Sequence, residues 1–525
     1  MPMLRRHWFA LAAGAICFTW ALAGWLTVIP NQDMLADSIQ VQSLLHDPRI
    51  VLAFPGQKHA GPLEYPIGMI AEALAPGNFY LHTAFRLLLA FLTGFLTAKL
   101  YLALFPEARR WSFLAAIAVG PTIIHGLLGP ASNPVGVWWL QPNWDMAWLC
   151  VTTGAYVIAR QLDRDPEAAA GPVVILLKTA AGGLLIGLGF YAHPAISILI
   201  IPILTLLALR FRVSVRAVVA AAVGAAIGVL PSAASYVFNA TINTWDPSHG
   251  PMINIPMYGS ALGINGIPDY MLALLPYGLG LAPGGAFIPP AAQSMLMWIF
   301  LFIVVSSSAI GVDRAWRSRA RPSPGTAIAI AWLAASLGII AFATLVDPVW
   351  IYASGLSILY WISVGLLPGI FIRRWLGAAI TGLILVMSAG STVSHNLDWY
   401  SQFPTRMQAK QDYLASNAEL AAVIEEAGAK YLYGSYYRVI PVGYASAYRL
   451  RTITNHYNRF PLTSEESAQD SLTVAVETAP IDDWGREALA KIQASCEPIS
   501  DQVDPRLGSF AIFTCPSEVL APRSS

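Results

Sequence analysis

Two carboxylates stand just beyond the first apolar run of the chain, Asp33 and Asp37. They are four residues apart and share one face if the segment is helical. After them come His46-Asp47, Arg49 and the stretch Gln57-Lys58-His59-Ala60-Gly61-Pro62-Leu63-Glu64-Tyr65-Pro66. Arg86 lies about one and a half turns into the next apolar run. Asp145 opens a later one, within Trp138-Trp139-Leu140-Gln141-Pro142-Asn143-Trp144-Asp145-Met146. A carboxylate near an acceptor hydroxyl supplies general-base catalysis, and fixed cations stabilise charge developing on a leaving phosphate. Each residue also has a plainer role open to it: a wet polar loop for Asp37, His46 and Glu64, snorkelling to the interface for Arg86, a helix N-cap for Asp145. An arginine at that depth costs roughly 2.5–3.5 kcal/mol on the insertion scale unless an acid or a lipid phosphate pairs with it.

The elements that must position these residues follow from composition. The chain has 525 residues, 56% hydrophobic and 12% charged, against roughly 25% charged in an average soluble protein. That excludes a soluble enzyme and predicts a mainly α, polytopic membrane protein. A net charge of +1 gives no long-range field for nucleic acid. The first run, 8–30, follows Arg5-Arg6, but at about 23 residues it is longer than a signal-peptide core and has no small-residue cleavage site, so it reads as a retained span. Further runs near 79–105, 112–130, 138–159, 172–191, 193–209, 217–239, 291–312, 325–346, 349–372 and 375–393 make about eleven crossings at roughly 20 residues each. Pro194 interrupts the 172–209 stretch, which reads as two short spans meeting in a hairpin.

Basic residues orient the spans, because short cytoplasmic loops collect them. Arg5-Arg6, Arg109-Arg110, Arg160 with Arg164, Arg210-Arg212-Arg216, Arg314-Arg317-Arg319-Arg321 and Arg373-Arg374 fall on every second junction, whereas 241–290 has no Lys or Arg and 31–78 has only Arg49 and Lys58. The N-terminus is expected in the cytoplasm. The first loop (31–78), the 241–290 loop and everything after the last span are expected outside. The 241–290 loop carries Trp245-Asp246, His249 and Asp269, and reads as a lid or a lipid-facing groove.

This divides the chain into a transmembrane part, 1–393, and an extracytoplasmic tail, 394–525. The tail reads as a small α/β domain, with helix-like stretches at 412–428 and 482–494 and short β-branched runs at 430–433, 451–454, 472–476 and 510–513. Cys496 and Cys515 lie together there, where an oxidising compartment would let them pair. The tail has no Gly-rich phosphate loop and no metal-spaced His/Cys set, so chemistry is expected elsewhere.

Four features in order carry a resemblance: an acid just after the first span, a long first external loop with a Lys-His-x-Gly-Pro-Leu-x-Tyr element, an Arg early in the second span, and an Asp opening the fourth. Over roughly residues 1–210 they resemble the GT-C superfamily of membrane glycosyltransferases, with the nearest likeness to its protein O-mannosyltransferase and lipid A aminoarabinose transferase branch. The resemblance implies an inverting transferase in a bacterial inner (plasma) membrane. It would move a sugar from a polyprenyl-phosphate carrier to a lipid, glycan or protein acceptor at the outer face, for building or modifying the cell envelope. Carried over by position, Asp33 is the catalytic base, Lys58 and Arg86 hold the lipid phosphate with His59 beside it, and Asp145 positions acceptor or sugar. Met34 follows Asp33 where the family often has a second acid or a glycine, so Asp37 stays open as the working carboxylate. Where some relatives carry a late arginine, Trp350 or Tyr352 stands here. No cofactor and no metal are expected. The competing classes are a lipid flippase or transporter, which would show repeat symmetry between halves, and a polysaccharide polymerase or ligase.

Overall fold

The structure, a computed structural model, describes residues 2–30, 32–46, 51–52, 61–119, 144–163, 171–239, 322–345, 356–370, 375, 377–383, 385–386, 401–454, 464–480, 483–499 and 505–520. The apolar runs within these ranges are helices, the form that satisfies every backbone N–H and C=O without water. They include Pro2–Thr27, Phe79–Leu104, Trp144–Leu162, Pro172–Ala192, Val215–Asn239 and Pro324–Leu345. Among the described residues, four stretches are long and apolar enough to cross a membrane: His7–Thr27, Phe79–Leu104, Pro172–Ala192 and Val215–Ser235. The chain is a multi-pass membrane protein. The run expected at 291–312 and the 241–290 loop lie outside the described residues. Pro194 breaks the 172–209 stretch: the helix ends at Ala192, His193 is extended, and a short turn over Pro194–Ile196 leads into Ser197–Arg210. Proline lacks the N–H that would continue the helix and pushes the residue before it out of the helical region.

The chain divides into two compact units, one of Met1–Leu26, Arg86–Leu230 and Asn254–Phe403, the other of Thr27–Phe85, Pro231–Ile253 and Pro404–Ser525. In the first, small residues let helices approach backbone to backbone, the means by which apolar helices associate where lipid removes the hydrophobic drive. Gly183 and Gly187 face Ala221 and Ala225, while Gly224 and Gly228 face Ala180 and Leu184. A Cβ at any of these four glycines would collide with backbone atoms of the neighbouring helix. Trp144–Leu162 packs along Pro172–Ala192 with Gly154 against Gly182. Near Pro324–Leu345, Trp332 donates its indole N–H to Ser363 Oγ at 2.8 Å.

The second unit is built on a five-stranded sheet: β1 (Tyr431–Gly434), β2 (Arg451–Thr454), β3 (Leu472–Glu477), β4 (Glu497–Pro498) and β5 (Phe510–Cys515), in the order β2-β1-β3-β5-β4. β2, β1 and β3 are parallel, and β5 runs antiparallel to β3 and β4. Alternation splits β1, β3 and β5 between two cores. Tyr431, Tyr433, Val474 and Val476 pack with Ile492 and the two cysteines. Leu432, Ala475 and Ile512 pack on the other face with Ile424, Val439 and Val442. Helix Asp483–Ser495 therefore covers one face, and Phe403–Glu426 with Tyr436–Ala445 covers the other. Cys496 and Cys515 form a disulfide, because the β4–β5 register sets Glu497 opposite Thr514 and so brings the residue before β4 to the end of β5.

Two parts of this unit carry helices that the sequence reading does not assign. The 31–78 segment, read as an external loop between spans, contains helices Gln32–His46 and Tyr65–Leu74. The tail gains a helix at Tyr436–Ala445, a stretch whose Pro441 and Gly443 argue against one by propensity. Burial decides: Val439, Ile440, Val442 and Tyr444 are all interior, and tertiary packing outweighs propensity differences of about 1–3 kcal/mol.

Candidate functional site

Arg86 and Asp145 meet in the first unit. Arg86 Nε donates to Asp145 Oδ2 at 2.6 Å, with side chains only 4% and 2% exposed. Asp145 sits in the first turn of Trp144–Leu162, where a carboxylate also faces the positive end of the helix dipole. The pair answers the sequence question about Arg86: it is held by an acid from another helix rather than snorkelling outward. A guanidinium bonded through Nε has its plane set by its partner, and a planar fork of fixed direction suits a phosphate.

The other candidates lie elsewhere. Asp33 and Asp37 are one turn apart on Gln32–His46 and belong to the second unit. Asp37 is buried at 4% exposure, while the side chain of Asp33 lies outside the described residues, as do Lys58 and His59 altogether. The Asp33–Asp37 helix is unusual in burying its polar side chains: Ser38, Gln40, Gln42 and Ser43 are all interior. Ser38 Oγ donates to Met34 O at 3.0 Å, and Gln40 donates to Ser43 Oγ at 3.2 Å. Among the described residues, no three His, Cys, Asp or Glu side chains converge as metal ligands.

The sequence reading passed over a second set of buried polar groups. Glu72, fully buried, accepts from the backbone N–H of Gly77 at 2.8 Å, from Gln42 at 3.3 Å and from the Tyr444 hydroxyl at 3.3 Å. Its Oε1 lies 3.1 Å from His82 Nδ1. Gly77 reaches Glu72 by turning at φ +71°, a conformation that favours glycine. Burial, with the Glu72 charge second, raises the Tyr444 phenol well above its ordinary range and keeps it a donor. Lys410, also fully buried, holds its Nζ 4.6 Å and 4.8 Å above the rings of Phe79 and Tyr80. The signal for Glu72 was available as one acid in the otherwise apolar helix Tyr65–Leu74. Lys410 had none, since its helix reads as ordinary and solvated.

Burial pulls the Lys410 ammonium down from 10.5 to about 7. Between those two values the unfolded chain holds a proton that the folded chain has released, so stability rises with pH across that window; below about 7 the full penalty applies. Lys410→Met is therefore expected to raise the thermal unfolding midpoint at pH 6, with a gain that shrinks as the pH rises toward 10. An equal gain at both pH values, measured in lipid nanodiscs, would show that Lys410 is not buried with its charge.

Sequence comparison finds no matching protein family and no matching curated protein. Structural comparison finds crystal structures of ArnT from Cupriavidus metallidurans, one bound to undecaprenyl phosphate and one in the apo state. Their TM-scores are 0.51 and 0.50 at 11% and 10% identity, and each match covers 98% of this chain and 99% of the other. Over nearly its whole length, this chain shares the fold of ArnT.

Proposed function

We propose that the protein is an integral-membrane glycosyltransferase that takes a sugar from a polyprenyl-phosphate donor and attaches it to a hydroxyl-bearing acceptor at the outer face of a bacterial inner membrane. The observation that carries this reading is the buried Arg86–Asp145 pair, set in a fold shared with a structure that holds undecaprenyl phosphate. Arg86, with Lys58, neutralises the donor phosphate. Asp33, or Asp37 in its place, removes the acceptor proton as the acceptor oxygen attacks the anomeric carbon. The bond from that carbon to the phosphate oxygen breaks, its electron pair leaves with the polyprenyl phosphate, and the configuration inverts in this single displacement. Asp145 keeps the guanidinium plane in place throughout, so no reorganisation is needed when charge develops.

The test is sugar transfer by purified protein in nanodiscs, with a panel of radiolabelled undecaprenyl-phosphate sugars and an envelope extract as acceptor source. The expected result is label moved to an acceptor with stoichiometric release of undecaprenyl phosphate. Failure with every donor, together with translocation of the same lipids in sealed vesicles, would replace the transferase by a flippase.

A further inference from the structure

The second unit contains a cavity of about 290 Å³ that the proposed reaction does not use. Four aromatic rings line it, those of Phe79, Tyr80, Tyr413 and Tyr444, with Asn78 and Asn417 as polar members. Space of this size holds roughly ten water molecules at ~30 Å³ each, room for a hexose ring and part of a second but little more.

Both fully buried ionisable side chains described above stand against this wall. Glu72 takes the hydroxyl of Tyr444 and the backbone N–H of Gly77, and both residues line the cavity. Lys410 lies over Phe79 and Tyr80. Phe79 and Tyr444 in turn meet edge to face, their centroids 6.4 Å apart. Burying two ionisable side chains carries a desolvation cost, and here each immobilises rings of one surface. Such immobilisation is the usual way a fold prepares a binding wall in advance.

We propose that this cavity is a saccharide-binding site that seats a sugar ring of the acceptor. The C–H faces of a pyranose pack on aromatic faces, and its hydroxyls need a few placed hydrogen-bonding groups at the edge. Asn78 uses its carboxamide oxygen to cap Leu81 N–H, and Asn417 uses its amide to bond Tyr413 O. An amide donor on the first and a carbonyl acceptor on the second are left to a ligand. An isoprenoid chain needs neither. Leu35 also lines the cavity, two residues along the helix from Asp33, or about 3 Å of axial rise. A sugar seated here is thus close in chain terms to the proposed base. The word acceptor rests on the transferase reading; the saccharide site does not.

The experiment is saturation-transfer NMR on the full chain in nanodiscs free of glycoside detergents. Chitobiose, mannobiose and cellobiose serve as probes, and undecaprenyl phosphate binding and thermal unfolding are measured on the same samples. At least one disaccharide is expected to bind in the millimolar range or tighter. Ala418→Trp, which fills the cavity, and Tyr413→Ala, which removes a wall, are each expected to weaken it at least tenfold, and Tyr413→Phe to retain it. Should Ala418→Trp fail to fold, the contrast between Tyr413→Ala and Tyr413→Phe decides. Absence of binding by all three sugars, or equal binding by the cavity variants, overturns the site even if undecaprenyl phosphate binds normally. Cavity-dependent sugar binding by a folded protein that does not bind undecaprenyl phosphate would retain the site and remove the transferase reading.

Discussion

Arg86→Met is expected to abolish sugar transfer and to destabilise the protein by about 3–5 kcal/mol, the penalty for leaving one member of a buried ion pair uncompensated. Asp145 would be the stranded group: its carboxylate is 2% exposed and its bond to Arg86 is 2.6 Å long. Asp145→Asn leaves the guanidinium buried against a neutral amide and should destabilise in the same direction. The informative variant is the double one, Arg86→Met with Asp145→Leu. Replacing both charges by apolar side chains of similar volume is often neutral for stability, so the unfolding midpoint should return close to wild type. Transfer should not return, because Lys58 alone is left to meet the donor phosphate and the oriented guanidinium is gone, a loss of about 10²–10³-fold by itself. Thermal unfolding and transfer on the same nanodisc preparations make the comparison. Recovery of both in the double variant would reduce the pair to a structural brace.

Asp33→Asn is expected to lower the rate of transfer by about 10²–10⁴-fold, the range for removing a positioned general base, with undecaprenyl phosphate binding unchanged. The amide keeps the shape of the carboxylate and its place on Gln32–His46 but accepts no proton. Asp37→Asn is the necessary companion. Asp37 is buried among packed neighbours, so its loss should appear mainly in stability. The opposite pattern, transfer lost only in Asp37→Asn, would move the base one turn along the same helix. Retention of transfer in both variants would remove this helix from the chemistry.

These variants separate two kinds of information. Hydropathy and periodicity are local properties, written within about twenty consecutive residues. The apolar helices, the break at Pro194 and the strands of the tail are therefore legible in the order of amino acids alone. Arg86 and Asp145 are legible one at a time, because an ionised group inside an apolar run is conspicuous wherever it stands.

That they pair is not legible, since they are 59 residues apart and nothing in either helix names its neighbour. The first loop hides its packing for a related reason: Gln32–His46 carries too many polar side chains to look buried, and Ser38, Gln40, Gln42 and Ser43 are interior only because partners and packing are supplied within the second unit. Glu72 and Tyr444, 372 residues apart, and Lys410 beneath Phe79 and Tyr80 belong to the same class. Sequence by itself determined the class of protein, the apolar helices and a set of candidate residues. Tertiary structure alone decided which charges meet and which rings share a wall, because those contacts join segments that chain order keeps far apart and depend on packing rather than on local pattern.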